Sequence, residues 1–196
     1  MILARLAARW PGIPGRLPSL IALTDPVRTP DVAAFAEGLP TGCALIYRHH
    51  GEARRYAEAS DLARIARDRR FVLLVSSDPE LAEACDADGV HWPARLAMDA
   101  RQWRQRHAGK ILTMSAHNRR ELRLAEVIGA DAALLSPVFA TASHAGAKPL
   151  GAMRSATLIK NCILPVYALG GINSDTAKRL QRSGFSGLAA IDGLKR

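Results

Sequence analysis

Short apolar runs recur along the chain at 19–24, 43–47, 71–75, 89–92, 111–114, 132–135, 165–169 and 187–191. Each is apolar on consecutive rather than alternating positions, as expected of parallel strands buried on both faces. Between them, apolar residues at helical spacing predict helices over 30–37, 53–67, 79–85, 98–107, 119–128, 152–159 and 174–182. Start and stop signals support these segments. Thr29-Pro30-Asp31 offers a cap followed by proline at the first helical position, and Asn173 or Ser174 can cap the seventh helix. Gly129 and Gly184 fall where helices should stop. Regular alternation implies parallel strands joined by right-handed crossovers. Eight such units favour a closed (β/α)8 TIM barrel, an α/β fold, over an open sheet. The 196 residues make a small example, since the fold typically takes about 250. After the eighth run only residues 192–196 remain, so the last helix is expected to be truncated. An extra N-terminal helix over 2–9 is expected to cover the flank left open. The organisation read from the sequence is thus an N-terminal helix and linker, 1–18, packed on a barrel formed by 19–196.

Hydrophobic residues make up 48% and charged residues 23%, an ordinary globular composition. No stretch reaches the roughly 18 apolar residues of a membrane span, so no membrane partner is expected. Arg5 and Arg9 interrupt the apolar start of the chain, which reads as a short packed helix rather than a signal or transit peptide. Cys43, Cys85 and Cys162 are scattered and make neither a metal pair nor a disulfide framework, which fits a cytoplasmic protein. Twenty-seven Lys+Arg against eighteen Asp+Glu give +9, a surplus that permits nucleic acid, acidic lipid or a phosphorylated metabolite as partner. The arginine-rich stretches at 54–55, 64–70, 101–106 and 119–123 fall on helices, several with acids nearby, and read as solvated faces. Aromatic residues are only 5%, which leaves few stacking platforms, so nucleic acid is not expected.

In such a barrel, chemistry belongs on the loops that leave the C-terminal ends of the strands. Gly170-Gly171 follows the seventh run. Paired glycines let backbone N–H groups approach an anion closely, or simply make a tight turn; the position after the seventh strand favours phosphate. Arg48-His49-His50 ends the second run and places one permanent and two titratable cations at the mouth, as an oxyanion site or a solvated rim. The loop 137–151 is the longest of these connections, carries Thr141, Ser143 and His144, and reads as a lid or binding loop. His91 lies inside an apolar run and reads as a core histidine satisfied by a neighbour, and His117 as a residue near a helix cap. The six histidines have no metal-ligand spacing, so no metal site is expected from the residues themselves.

Taken in order, these segments resemble the thiamine phosphate synthase/TenI family, of which the chain looks like a divergent member. The resemblance is carried by Leu23-Thr24-Asp25, Ala87-Asp-Gly-Val-His91, Ser115-Ala-His117 with Glu121, Gly129-Ala-Asp131, Ser136-Pro-Val-Phe139 with Thr141, Pro165-Val-Tyr-Ala-Leu-Gly-Gly-Ile172 and Gly187-Leu-Ala-Ala190. It implies a (β/α)8 barrel that joins aminopyrimidine methyl pyrophosphate to thiazole phosphate and releases pyrophosphate. It implies Arg48, His50 and His144 as catalytic residues, with Gly170, Gly171, Gly193, Ser76, Ser77, Ser115, Thr141 and Ser143 binding substrate or phosphate. A homo-oligomer is compatible with it.

The departures matter. Ile46-Tyr-Arg-His-His50 keeps the family's arginine and replaces its lysine by His50. The family's Asn-Asp pair becomes Ser76-Ser77, and its second metal-binding aspartate falls on Leu96, so the usual carboxylate ligands of Mg²⁺ are absent. Thr141-Ala-Ser143-His144 resembles the TenI variant of the sixth loop, yet the TenI tautomerase histidine falls on Pro137. Asp192 stands in place of a phosphate-facing serine. These changes leave the pocket less positive unless His50 and His144 are protonated, as they would become at mildly acidic pH. Two functions follow: the synthase reaction of thiamine biosynthesis or salvage, or a non-catalytic sensor or carrier of a thiazole or thiamine phosphate.

Overall fold

Every apolar run forms a strand in the computed structural model, which describes residues 2–51, 53–144 (without the His144 side chain), 146, 148–192 and 194. The strands are β1 (Leu20–Leu23), β2 (Ala44–Tyr47), β3 (Val72–Ser76), β4 (Gly89–Trp92), β5 (Ile111–Ala116), β6 (Ala132–Leu135), β7 (Val166–Ala168) and β8 (Gly187–Ala190). Each pairs parallel with the next, and β8 returns to β1 with Ile21 opposite Ala189, so the sheet closes into a barrel. Consecutive apolar positions are explained by two separate cores. Ile21, Ile46, Leu74, Leu134 and Tyr167 fill the interior, while their neighbours Leu20, Leu45, Leu73, Leu112 and Leu135 pack under the helices. With both faces covered, no strand position gains by being polar.

The helices are α1 (Ile2–Ala7), α2 (Val32–Glu37), α3 (Arg55–Arg69), α4 (Pro79–Ala84), α5 (Ala97–Arg106), α6 (Arg119–Val127), α7 (Gly151–Ile159) and α8 (Ser174–Lys178). Asn173 caps α8 through a reciprocal pair with Thr176. Two expectations need correction. Asp31 rather than Thr29 caps α2, because the buried Thr29 hydroxyl is committed to the main chain of Asp25, accepting from its N–H and donating to its carbonyl. α8 ends at Lys178, and turns rather than helix lead on to Gly184. After β8 the described residues carry no helix. α1 lies beside α8 and buries Leu3 and Ala7 in the outer core.

The N-terminal end of the barrel is plugged. Leu17 enters the interior core, and the Tyr167 hydroxyl donates to Pro18 O at 2.9 Å, its burial raising the phenol pKa. Arg16 and Arg104 both pair with Asp131, which also accepts the Leu112 N–H. The C-terminal end is open. No helix among the described residues is long and apolar enough to cross a membrane.

Polar groups gather at one place in the interior. His91 projects from β4 with Nδ1 2.9 Å from Thr113 Oγ1 and Nε2 3.0 Å from Ser115 Oγ, the satisfied core histidine that its apolar setting suggests. Burial, reinforced by the nearby Arg48, lowers its pKa to about 3.

Two measurements test this packing. A Cβ at Gly89 would stand 1.9 Å from Ile111 O across the β4–β5 pair, so Gly89→Ala is expected to cost about 3 kcal/mol in urea unfolding; an unchanged midpoint would contradict it. The second concerns acid. Because folding lowers the His91 pKa below that of the unfolded chain, its contribution is complete above pH 6.5 and is lost as pH falls toward 3. Between pH 7 and 5 this single site should remove about 2 kcal/mol of stability. His91→Gln, which can still bond to both hydroxyls, should lose correspondingly less over that interval, and an equal loss would contradict the assignment.

Candidate functional site

At the open end, the loops after β1, β2, β6, β7 and β8 enclose a cavity of about 330 Å³. Its floor depends on two glycines. Gly170 (φ 92°) and Gly171 (φ 64°) adopt left-handed backbone that favours glycine, and the sixth loop runs directly against them. A Cβ on Gly170 would meet Pro137 Cα at 2.8 Å, and one on Gly171 would meet Ala140 O at 2.4 Å. Main-chain bonds hold the two loops together: Val138 N–H donates to Leu169 O at 2.9 Å and Phe139 N–H to Gly170 O at 3.0 Å. The Thr176 hydroxyl donates to Gly171 O at 2.8 Å. Both glycine carbonyls are therefore engaged, while their N–H groups have no acceptor among the described residues.

Charge enters from the opposite wall. The Asp25 carboxylate accepts Nη2 of Arg28 at 2.8 Å and Nη2 of Arg48 at 2.9 Å. The hydrogen bonds from Arg28, with help from Arg48, hold the Asp25 carboxyl down at about 2 despite partial burial. Arg28 reaches further, with Nη1 2.9 Å from Asp192 and Nη2 2.8 Å from Ser143 Oγ. One guanidinium thus ties the first, sixth and eighth loops together. Two arginines face two aspartates here, so the cluster is close to neutral in spite of the chain's +9. Arg28 has both terminal nitrogens occupied; Arg48 keeps Nη1 without a partner among the described residues.

Of the residues expected in a site, Arg48, Thr141, Ser143, Gly170 and Gly171 line this cavity. Ser76, Ser77 and Ser115 lie outside its lining, at the ends of β3 and β5. His50 is exposed and also outside it. Partial burial and the neighbouring Arg55, Arg48 and Arg95 lower its pKa, which works against the protonated form that would restore the family's lysine charge. His49 corrects the reading of a cationic mouth. It is buried, its ring centroid 5.2 Å from that of Tyr47 and its Nδ1 3.5 Å from Glu58. His117 precedes the cap of α6, with Nδ1 2.8 Å from Ser136 O. Gly193 and the His144 side chain lie outside the described residues.

Sequence reasoning passed over Arg28 and gave Ser136 no site role, though both line the cavity. The criterion that selected Arg48, a cation just beyond a strand's C-terminal end, selects Arg28 as well.

The donor set does not fit Mg²⁺. Where the family has carboxylates, this chain presents Ser77 and Leu96, and the adjacent Asp78 is committed to Arg55 at 2.8 Å and to the Leu81 N–H at 2.9 Å. No group of three or more His, Cys, Asp or Glu able to hold a metal gathers among the described residues.

Residues 20–194 match the profile of the family described as thiamine monophosphate synthase. The thiamine-phosphate synthase of Geobacillus kaustophilus is 33% identical over 177 residues, which cover 84% of this chain and 78% of that protein. The thiamine-phosphate synthase of Methanosarcina barkeri is 32% identical over 164 residues, 79% of this chain and 72% of that one. Among solved structures, a thiamine phosphate pyrophosphorylase from Pyrococcus furiosus matches with a TM-score of 0.78 and 26% identity, covering 95% of this chain and 87% of that one. With a matching profile across nearly all of the barrel, the same closed fold and relatives at this level of identity, the chain belongs to the thiamine monophosphate synthase family.

Proposed function

We propose that this protein couples an aminopyrimidine methyl pyrophosphate to a thiazole phosphate, the reaction by which the family joins the two halves of thiamine. The observation that carries the reading is the cavity itself, lined by Arg48 and by Gly170 and Gly171, whose N–H groups have no acceptor among the described residues. In the reaction, the C–O bond to the pyrophosphate breaks and its electron pair leaves with the pyrophosphate. The thiazole nitrogen lone pair then forms the new C–N bond. Backbone N–H groups suit the phosphate of the thiazole, because they donate hydrogen bonds to an anion without a charge to desolvate. Arg48 Nη1 is available to the departing pyrophosphate, whose negative charge grows as the C–O bond lengthens. Arg28 holds Ser143 of the sixth loop near the cavity. No step is assigned to a metal, given the donor set after β3 and β4. Reduced cysteines at Cys43, Cys85 and Cys162 accord with a cytoplasmic location for this chemistry.

The near-neutral Arg28–Arg48–Asp25–Asp192 cluster favours one other reading: a protein that binds thiazole phosphate or thiamine phosphate without turnover. One assay separates the two. The protein is incubated with both substrates, with and without Mg²⁺, and thiamine phosphate is followed. Coupling predicts product from the wild type and about 100-fold less from Arg48→Ala. No product under either condition, with thiamine phosphate still bound, would replace coupling by the binding reading. Equal rates in the two proteins would remove the role of Arg48.

A further inference from the structure

Beneath the rim lies a row of polar side chains that the coupling scheme leaves unused. Thr113 and Ser115 project inward from β5, two residues apart, and His91 projects inward from β4 opposite Thr113. The imidazole spans them, Nδ1 to Thr113 Oγ1 at 2.9 Å and Nε2 to Ser115 Oγ at 3.0 Å. Thr113 is fully buried and His91 nearly so, whereas Ser115 is half-buried toward the open end. Burial, with the charge of Arg48 nearby, keeps the ring neutral.

A neutral imidazole has one donor and one acceptor nitrogen, so its two hydroxyl partners must play opposite parts. Thr113 decides which. Among the described residues its hydroxyl has no partner but Nδ1. A buried O–H without an acceptor costs about 1–3 kcal/mol, so Thr113 donates to Nδ1. The ring proton then resides on Nε2 and is donated to Ser115 Oγ. The hydrogen of Ser115 cannot return to Nε2, and Oγ has no other partner among the described residues. It is left for a partner beyond the described residues, with Ser115 two residues nearer the open end than Thr113 and Arg48 close enough to act on His91.

We infer that His91 is a positioning residue, fixed by Thr113 as the Nε2–H tautomer, which turns the Ser115 O–H toward an anionic oxygen of the ligand. The anion end of this relay rests on the coupling reading and its pyrophosphate; the tautomer does not. The test therefore has two readouts on the full chain. The first is the ¹⁵N spectrum of the His91 ring without ligand, expected to report Nε2–H in the wild type and in Thr113→Ser, and a mixed or reversed tautomer in Thr113→Val. The second is the Kd for inorganic pyrophosphate, expected to weaken about tenfold in Thr113→Val and in Ser115→Ala, and to stay within about twofold in Thr113→Ser. The double variant should be no weaker than Ser115→Ala alone. An Nδ1–H ring in the wild type overturns the relay and leaves the coupling reading intact. An altered tautomer in Thr113→Val with unchanged pyrophosphate affinity also overturns the relay. Absence of pyrophosphate binding by a wild type that carries the Nε2–H ring overturns the anion end together with the coupling reading.

Discussion

The site depends on a contact that leaves no space for a side chain. The sixth loop presses its main chain onto Gly170 and Gly171, with Pro137 and Ala140 where a Cβ would lie. Both glycines are held in left-handed backbone, their carbonyls turned into hydrogen bonds and their N–H groups without an acceptor among the described residues. Closure of the barrel makes this contact possible, since β6 and β7 must be neighbours for their loops to touch, and β8 must meet β1 for Arg28 to reach Asp192. A hydrogen-bonding surface made from backbone binds an anion without the cost of holding an unpaired charge in a half-buried place.

The second constraint is electrostatic. Asp25 is shared by both arginines of the rim, and Asp192 takes the remaining terminal nitrogen of Arg28. The arrangement fixes the guanidinium positions and lowers their combined field. The chain's positive surplus is mostly spread over the outer helices, where arginines such as Arg64 and Arg123 lean on acids one turn away. The exposed pairs of Arg64 contribute little to stability, and both these arginines lie outside the cavity lining. The cavity is thus balanced in local charge rather than strongly cationic.

Much of the fold was legible because parallel strands covered on both faces leave long apolar words in the sequence, and each of the eight predicted runs matches one observed strand. Local competition blurred the boundaries. Thr29 looked like a helix cap but serves the Asp25 turn, and Pro165, without an N–H, lies just outside β7. The site was harder to read. Gly170, Gly171 and Arg48 could be named from their places at strand ends, but two partners of Arg28 lie 115 and 164 residues away, and no periodicity encodes such meetings. His49 and His50 are adjacent in sequence, yet one is buried against Tyr47 and the other is exposed, a difference set by packing against α3 that the pattern of histidines does not carry. The bland reading of His91, by contrast, followed directly from its apolar neighbours.

Whether backbone N–H groups on the seventh loop select a phosphate ester is open to a direct measurement. Calorimetric titration compares thiazole phosphate with the corresponding unphosphorylated thiazole alcohol, on the wild type and on Gly171→Ala shown by circular dichroism to retain its fold. The expected result is binding of the ester at least about tenfold tighter than the alcohol, a preference that the added methyl abolishes. Equal affinity for ester and alcohol, or an undiminished preference in Gly171→Ala, would contradict it.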